Sequence, residues 1–170
     1  MSKHLKAFWF FYQDTGKRKW GIPYLTKNFF MGLKDEMADK VLLVLAEKDG
    51  EYVAGALHFI GGKVLYGRYW GCQYYYPSMH FELCYYQAID FAIESGLERV
   101  EAGAQGDHKI ARGYLPITTY SSHWFAHKGF LSAVNNFLQE EKKLIRIHEE
   151  ELQFISPFKT RGELNEKKIQ

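Results

Sequence analysis

Asp107, His108, Lys109 and Arg112 place a carboxylate, an imidazole, an ammonium and a guanidinium within six positions. Two glycines, Gly103 and Gly106, come just before them, and Gly113 and Pro116 follow. Glycine opens backbone conformations that other residues avoid, so this stretch is built to bend. Lys109 and Arg112 suit a phosphate or a carboxylate, Arg through a two-pronged fork and Lys as a point charge. Further upstream, His80 and Glu82 open a predicted helix, and Glu101 closes a predicted strand. Each of His80, Glu82, Glu101 and His108 is chemically able to take a proton from a nucleophile. A strand that ends in a glycine-rich turn loaded with charge is where α/β proteins usually keep their sites. The plain alternative is a solvated loop whose polar residues serve only the turn.

These residues need a scaffold, and the bulk properties supply one. The chain has 170 residues, 46% of them apolar, enough for one domain with a sizeable core. A net charge of +2 argues against bulk nucleic-acid binding. Basic residues gather at Lys17-Arg18-Lys19 and again at Lys159, Arg161, Lys167 and Lys168, as a solvated face or as contacts for an anionic partner. Cys72 and Cys84 have no metal-ligand spacing and read as reduced thiols. The apolar run from Ala7 to Tyr12 is too short for a signal sequence or a membrane span, so a cytoplasmic protein is expected.

The spacing of Leu5, Phe8, Trp9 and Tyr12 predicts a helix over residues 3–16, ended by Thr15-Gly16. Thr26 caps a second helix to about Ala38, with Phe29, Phe30 and Leu33 buried. The apolar run Val41 to Lys48 predicts a strand covered on both faces. Asp49-Gly50 and Gly61-Gly62 turn the chain into two further antiparallel strands, Glu51–Ile60 and Lys63–Trp70. Ser78 then caps a helix from Met79 to Ser95, with a stripe of Phe81, Cys84, Tyr85, Ala88 and Ala92, closed by Gly96. A strand at Arg99–Ala104 pairs in parallel with Lys63–Trp70 across that helix, and the two splay apart where their ends meet ligand. A strand at Ile117–Phe125, a helix at Leu131–Leu152 with a solvated Glu-Glu-Lys-Lys centre, and a polar, mobile tail from Pro157 complete the reading. Residues 1–156 are expected to form a single α/β domain with a mixed central sheet flanked by helices.

Three blocks carry a resemblance to a known family. They are His80-Phe81-Glu82-Leu83-Cys84-Tyr85-Tyr86-Gln87, Glu101-Ala102-Gly103-Ala104-Gln105-Gly106-Asp107-His108-Lys109, and Ala111-Arg112-Gly113-Tyr114-Leu115-Pro116. Through them the chain resembles the GNAT-fold acyltransferases, and more closely the FemAB-like branch associated with peptidoglycan biosynthesis. The resemblance runs from about Phe8 to Ile155 and implies a GNAT-like domain, similar to the C-terminal half of longer two-half relatives. It implies transfer of an activated acyl group to an amine, with a small-molecule or peptide acceptor. A homodimer or an N-terminal GNAT-like half would complete the cleft.

One departure bears on the donor. Acetyl-CoA enzymes of this fold hold the pyrophosphate on a glycine-rich loop at the start of the central helix. Here that position reads Gln73-Tyr74-Tyr75-Tyr76-Pro77-Ser78-Met79-His80, with no glycine. The donor is therefore acyl-CoA or, as in Fem-type relatives, aminoacyl-tRNA, with no tightly bound cofactor expected. Acyl transfer needs a base for the amine proton and donors for the oxyanion. His80 and Glu82 lie two apart on a helix, so at most one faces the cleft. Glu82 serves either as base or as a cap for backbone amides. Glu101 serves either as base or as an ion-pair partner of Arg112 or Lys109. His108, on the loop, is the weaker base, and Tyr114 or Tyr120 has a proton to give a leaving group. His123 and His127 lack helical metal spacing, so no metal is assigned. A function of another class stays open: a non-catalytic half-domain that binds an anionic ligand or a partner domain.

Overall fold

Leu5, Phe8, Phe11 and Tyr12 are buried along one face of helix α1 (Ser2–Lys19), which is longer than the apolar spacing alone predicts. The computed structural model describes residues 1–19, 21–103 and 106–158, without the side chains of Lys19 and Asp107. The expected tail beyond Phe158, with Lys159, Arg161, Lys167 and Lys168, lies outside the described residues, as does the end of the strand expected at Arg99–Ala104. Gly16 does not stop α1. It is buried within the helix, where a Cβ would stand 2.4 Å from Cγ of Pro23, so glycine serves close packing there. Arg18 fastens the last turn, donating to the Cys72 carbonyl at 3.0 Å and pairing with Asp14 at 2.7 Å.

Helix α2 (Lys27–Glu36) starts as expected, with the Thr26 hydroxyl accepting from the Phe29 amide at 3.3 Å. Phe30 and Leu33 are buried, but Phe29 turns outward. The linker between the helices is tied down by Tyr12, whose hydroxyl accepts from the Leu25 amide at 3.2 Å, and by a 2.5 Å hydrogen bond between the Tyr24 and Tyr69 hydroxyls. Burial, then the Tyr24 bond, push the Tyr69 phenol up to about 12.

Strands β1 (Val41–Lys48), β2 (Glu51–Gly61), β3 (Val64–Cys72) and β4 (Arg99–Glu101) form one sheet in that order. The first three make the expected antiparallel meander, and β4 runs parallel to β3. The Asp49-Gly50 turn has φ of 53° and 80°, the left-handed pair that a tight hairpin needs. The second turn falls at Gly62-Lys63, one residue later than the Gly-Gly signal. Strand β1 is half-buried rather than covered on both faces, because it is the sheet edge.

The registers sort the side chains onto two faces. Val41, Leu43, Leu57, Phe59 and Tyr69 join Leu5, Phe8, Tyr12 and Phe30 on the face covered by α1 and α2. Ala54, Ala56, Trp70 and Cys72 pack on Leu83 and Cys84 of the central helix on the other face. That helix has three parts: α3 (Met79–Phe81), a π-helical stretch (Glu82–Tyr86) and α4 (Gln87–Glu94). It closes as expected at Gly96, where the Gly96 amide meets the Ile93 carbonyl and the Leu97 amide meets the Ala92 carbonyl. The fold is mixed α/β, a four-stranded mixed sheet with helices on both faces, consistent with a GNAT-like fold.

The chain divides into two compact units at Ala104/Gln105. The second unit holds a 3-10 helix (Asp107–Arg112) and the long helix α5 (Lys128–Phe154). The strand expected at Ile117–Phe125 is not formed. Its β-branched and aromatic residues are strongly exposed at Ile117, Tyr120 and Trp124, and none joins a sheet, so their β-propensity goes unused. The His127 imidazole instead caps α5, accepting from the Phe130 amide at 3.1 Å.

Gly71 offers a test of how α1 seats on the sheet. A Cβ at this buried position would lie 2.5 Å from the Phe11 carbonyl oxygen, and that oxygen belongs to a helix backbone that cannot swing aside. Gly71→Ala should lower the unfolding free energy by about 1–3 kcal/mol. Gly32→Ala, in α2 with open space around it, should be neutral or stabilising by up to about 1 kcal/mol. Urea denaturation of the two variants checks the difference.

Candidate functional site

Strands β3 and β4 are joined only from Val64–Arg99 to Tyr66–Glu101. Beyond Tyr66, β3 continues to Cys72 with no strand on that side among the described residues. Two features cause the parting. The register of β2 and β3 shifts between Leu57–Tyr69 and His58–Gly67, leaving Arg68 as an extra bulged residue. Gly67 lets the backbones crowd just before they separate, since a Cβ there would be 3.3 Å from the Glu101 carbonyl oxygen. The pairing of β3 with β4 thus ends at Tyr66–Glu101.

His80 faces the open part of β3. Its ring stands edge-on to Trp70 at 5.1 Å and to Tyr85 at 5.3 Å, half-buried. Glu82, the other candidate on this helix, is exposed, and its carboxylate accepts from Gln87 Nε2 at 2.9 Å. That bond spans five residues because the helix is wound wider here: the Gln87 amide reaches the Glu82 carbonyl. The buried side keeps Tyr85, Ala88 and Ala92 of the expected stripe and adds Leu83. Leu83 and Tyr85 are buried, whereas Phe81 and Cys84 of the expected stripe are only partly covered. Ser78 does not cap the helix with its side chain; it sits in the left-handed region at φ 64° without a capping bond.

Glu101 lies on the other face of the sheet. The row Val41, Phe59, Tyr66, Glu101 runs across paired strands, and Val41 and Phe59 belong to the α1/α2 face. Its carboxylate pairs with Arg99 at 3.1 Å, two residues back on the same strand, a partner other than the expected Lys109 or Arg112. Proximity in sequence to the central helix therefore did not put Glu101 on the helix side. Gly103 follows in the left-handed region at φ 73°.

The second unit holds the remaining candidates. Gly106 enters the 3-10 helix at φ 99°, a conformation that favours glycine, and a Cβ there would have to displace the exposed His108 ring, 2.6 Å away. His108 is exposed, while Lys109, Arg112 and Tyr114 are half-buried. Arg112 Nη1 donates to the His108 carbonyl at 2.7 Å, and the Tyr114 amide donates to the Lys109 carbonyl at 3.2 Å. Lys109 and Arg112 thus share one short helical turn.

His58 was absent from the sequence reading. It is almost fully buried in the central strand, on the helix face, next to Gly67. Its ring bonds the backbone of Cys84 in the π-helical stretch and also meets the backbone of Leu42, while Nδ1 has no hydrogen bond of normal geometry. A π turn frees a carbonyl from the regular ladder, and a buried imidazole N–H is a suitable partner. A histidine inside an apolar strand gives no such signal in sequence.

Burial holds the His58 imidazole below its ordinary value, outweighing the two backbone contacts. The unfolded chain protonates this group near pH 6.5, about the ordinary imidazole value, while the native chain resists until lower pH. Acid therefore favours unfolding. Stability should fall as pH drops below about 6.5, with a slope of up to about 1.4 kcal/mol per pH unit from this group. His58→Gln, which keeps a donor for Cys84 but does not titrate, should flatten that slope. Urea midpoints at several pH values for both proteins check it.

Among the described residues, no helix is long and apolar enough to cross a membrane. Residues 1–160 match the model of a family, FemAB-like, described as peptidoglycan biosynthesis/recognition. No curated protein matches the chain.

Proposed function

Because the chain belongs to the FemAB-like family of peptidoglycan biosynthesis/recognition, we propose that it is an acyl- or aminoacyltransferase acting on an amine of a cell-wall precursor. The observation that carries this reading is His80, half-buried against Trp70 on the part of β3 that β4 leaves open. In the proposed reaction the acceptor nitrogen attacks the carbonyl carbon of the donor. The new C–N bond forms, the ester or thioester bond breaks, and His80 takes the amine proton and returns it to the departing oxygen or sulfur, so that the tRNA hydroxyl or the CoA thiol leaves. Trp70, Phe81 and Tyr85 flank the His80 ring with edge contacts. Within the second unit, Lys109 and Arg112 share one short helical turn and are the proposed contacts for a phosphate or carboxylate.

For the donor, the segment before the central helix favours aminoacyl-tRNA over acyl-CoA. Tyr74, Tyr75 and Ser78 carry side chains where a pyrophosphate would have to reach bare backbone. A second reading, recognition without catalysis, draws on the family description and on the engaged carboxylates of Glu82 and Glu101. Both readings need a ligand. Thermal melting in the presence of acetyl-CoA, a longer acyl-CoA, aminoacyl-tRNA and an amine-bearing precursor separates them. A transferase should be stabilised by one donor class, by about 2.7 kcal/mol at a hundred times its dissociation constant. Lys109→Ala should abolish that shift. Stabilisation by the precursor alone would favour recognition.

A further inference from the structure

Helix α5 spans 27 residues and not one of them is buried. Helices of this kind persist in water chiefly by packing an apolar face, and α5 carries apolar residues well beyond those its own unit covers. One flank is partly accounted for. Leu131, Val134, Leu138 and Leu152 are half-buried, and Thr118 bonds Glu149 at 3.1 Å on that side. A second line is bare. Phe130, Phe137, Leu144, Ile147 and Phe154 are each more than half exposed, Phe154 at 91%.

The bare line has a strict pattern. Phe130, Ala133, Phe137, Leu144, Ile147 and Phe154, with Glu140 and Glu151 filling the two remaining places, alternate spacings of three and four over the whole helix. Such a 3.5-residue repeat keeps one seam facing a second helix along its full length, whereas a surface helix packed on a globular core follows a 3.6 period.

We propose that α5 is a self-association element, and that two copies of this chain pair through their α5 helices in antiparallel orientation. Charge sets the direction. A parallel pair would stack Glu140 on Glu140 and Glu151 on Glu151 within the seam. The antiparallel pair is centred near Lys142. It sets Glu140 beside Leu144 and Lys143 of the second copy, and the reciprocal contact follows by symmetry. Lys143 is already within 2.8 Å of Glu140 in its own chain, so its ammonium is held at the seam's edge. Phe130 then faces Phe154, and Phe137 faces Ile147. Glu151 falls opposite Ala133, the smallest residue of the line, which leaves its carboxylate a path to water.

Sedimentation equilibrium of the full 170-residue chain tests this, with the mass read against 19.9 kDa for one copy. A dimer is expected, and Phe137→Glu with Ile147→Glu should convert it to monomer with its helical circular dichroism retained. Lys143→Glu, an exposed change that leaves the apolar seam intact, should weaken dimerisation on the order of tenfold, more at low salt. Adding Glu140→Lys to Lys143→Glu should restore it. A monomer at every concentration, or a dimer indifferent to the seam and charge variants, would overturn the proposal and assign the bare face to another occupant.

Discussion

His80→Gln should reduce the rate of acyl transfer by about 10²–10⁴-fold, the range for removal of a general base. The melting midpoint of the variant, measured alongside, separates a lost rate from a lost fold. Glu82→Gln should have a much smaller effect, because Glu82 points to solvent and its carboxylate is engaged by Gln87. Glu101→Gln distinguishes the two faces of the sheet. Its carboxylate lies on the α1/α2 side with Arg99, away from the face covered by the central helix. Steady-state rates of the three variants at saturating donor decide among them. A full loss in Glu101→Gln with His80→Gln near wild type would move the base to the opposite face.

The largest expected loss of stability is in Phe30→Ala. Phe30 is fully buried, and its ring lies within 4.9–6.4 Å of the rings of Phe8, Trp9, Tyr12, Phe29 and Tyr69. It therefore joins α2 to α1 and both to the sheet at one point. Truncation removes the apolar contact and leaves a void among rigid rings that close poorly around it. A cost of about 3–5 kcal/mol follows, large against the roughly 5–15 kcal/mol that holds a typical domain together. Phe29→Ala is the matched control. It is exposed on the neighbouring position and should stay within about 1 kcal/mol of wild type. Denaturant midpoints for the pair measure the contrast directly.

Local signals were read correctly where one or two residues decide the conformation. Thr26 caps α2, Asp49-Gly50 turns the first hairpin, and Gly96 closes the central helix, each through bonds that reach only a few residues. The apolar patterns then gave the meander and its parallel fourth strand. Long-range geometry escaped. Gly16 looks like a stop in sequence, but it serves Pro23, a residue from the next linker. The π-helical turn at Glu82–Tyr86 has no composition of its own, so the stripe was read with Tyr85, Ala88 and Ala92 buried but without Leu83, and with Phe81 and Cys84 more covered than they are. Ile117–Phe125 has strand-forming residues, yet strands need an edge to pair with. The candidate site shows the same divide. Its residue types were visible, and the parallel pairing of β3 with β4 was inferred from topology. The face on which Glu101 lies depends on a register across three strands, and His58 matters only because the helix above it is locally unwound.

The central claim is that this FemAB-like chain transfers an acyl group. The most direct measurement is the mass of an amine-bearing cell-wall precursor after incubation with the protein and a charged donor, aminoacyl-tRNA in one arm and acyl-CoA in the other. The account predicts a gain equal to one aminoacyl group in the tRNA arm, absent with His80→Gln and with uncharged tRNA. An unmodified precursor in both arms, from protein that nonetheless binds it, would contradict the transferase reading and leave recognition as the activity of this fold.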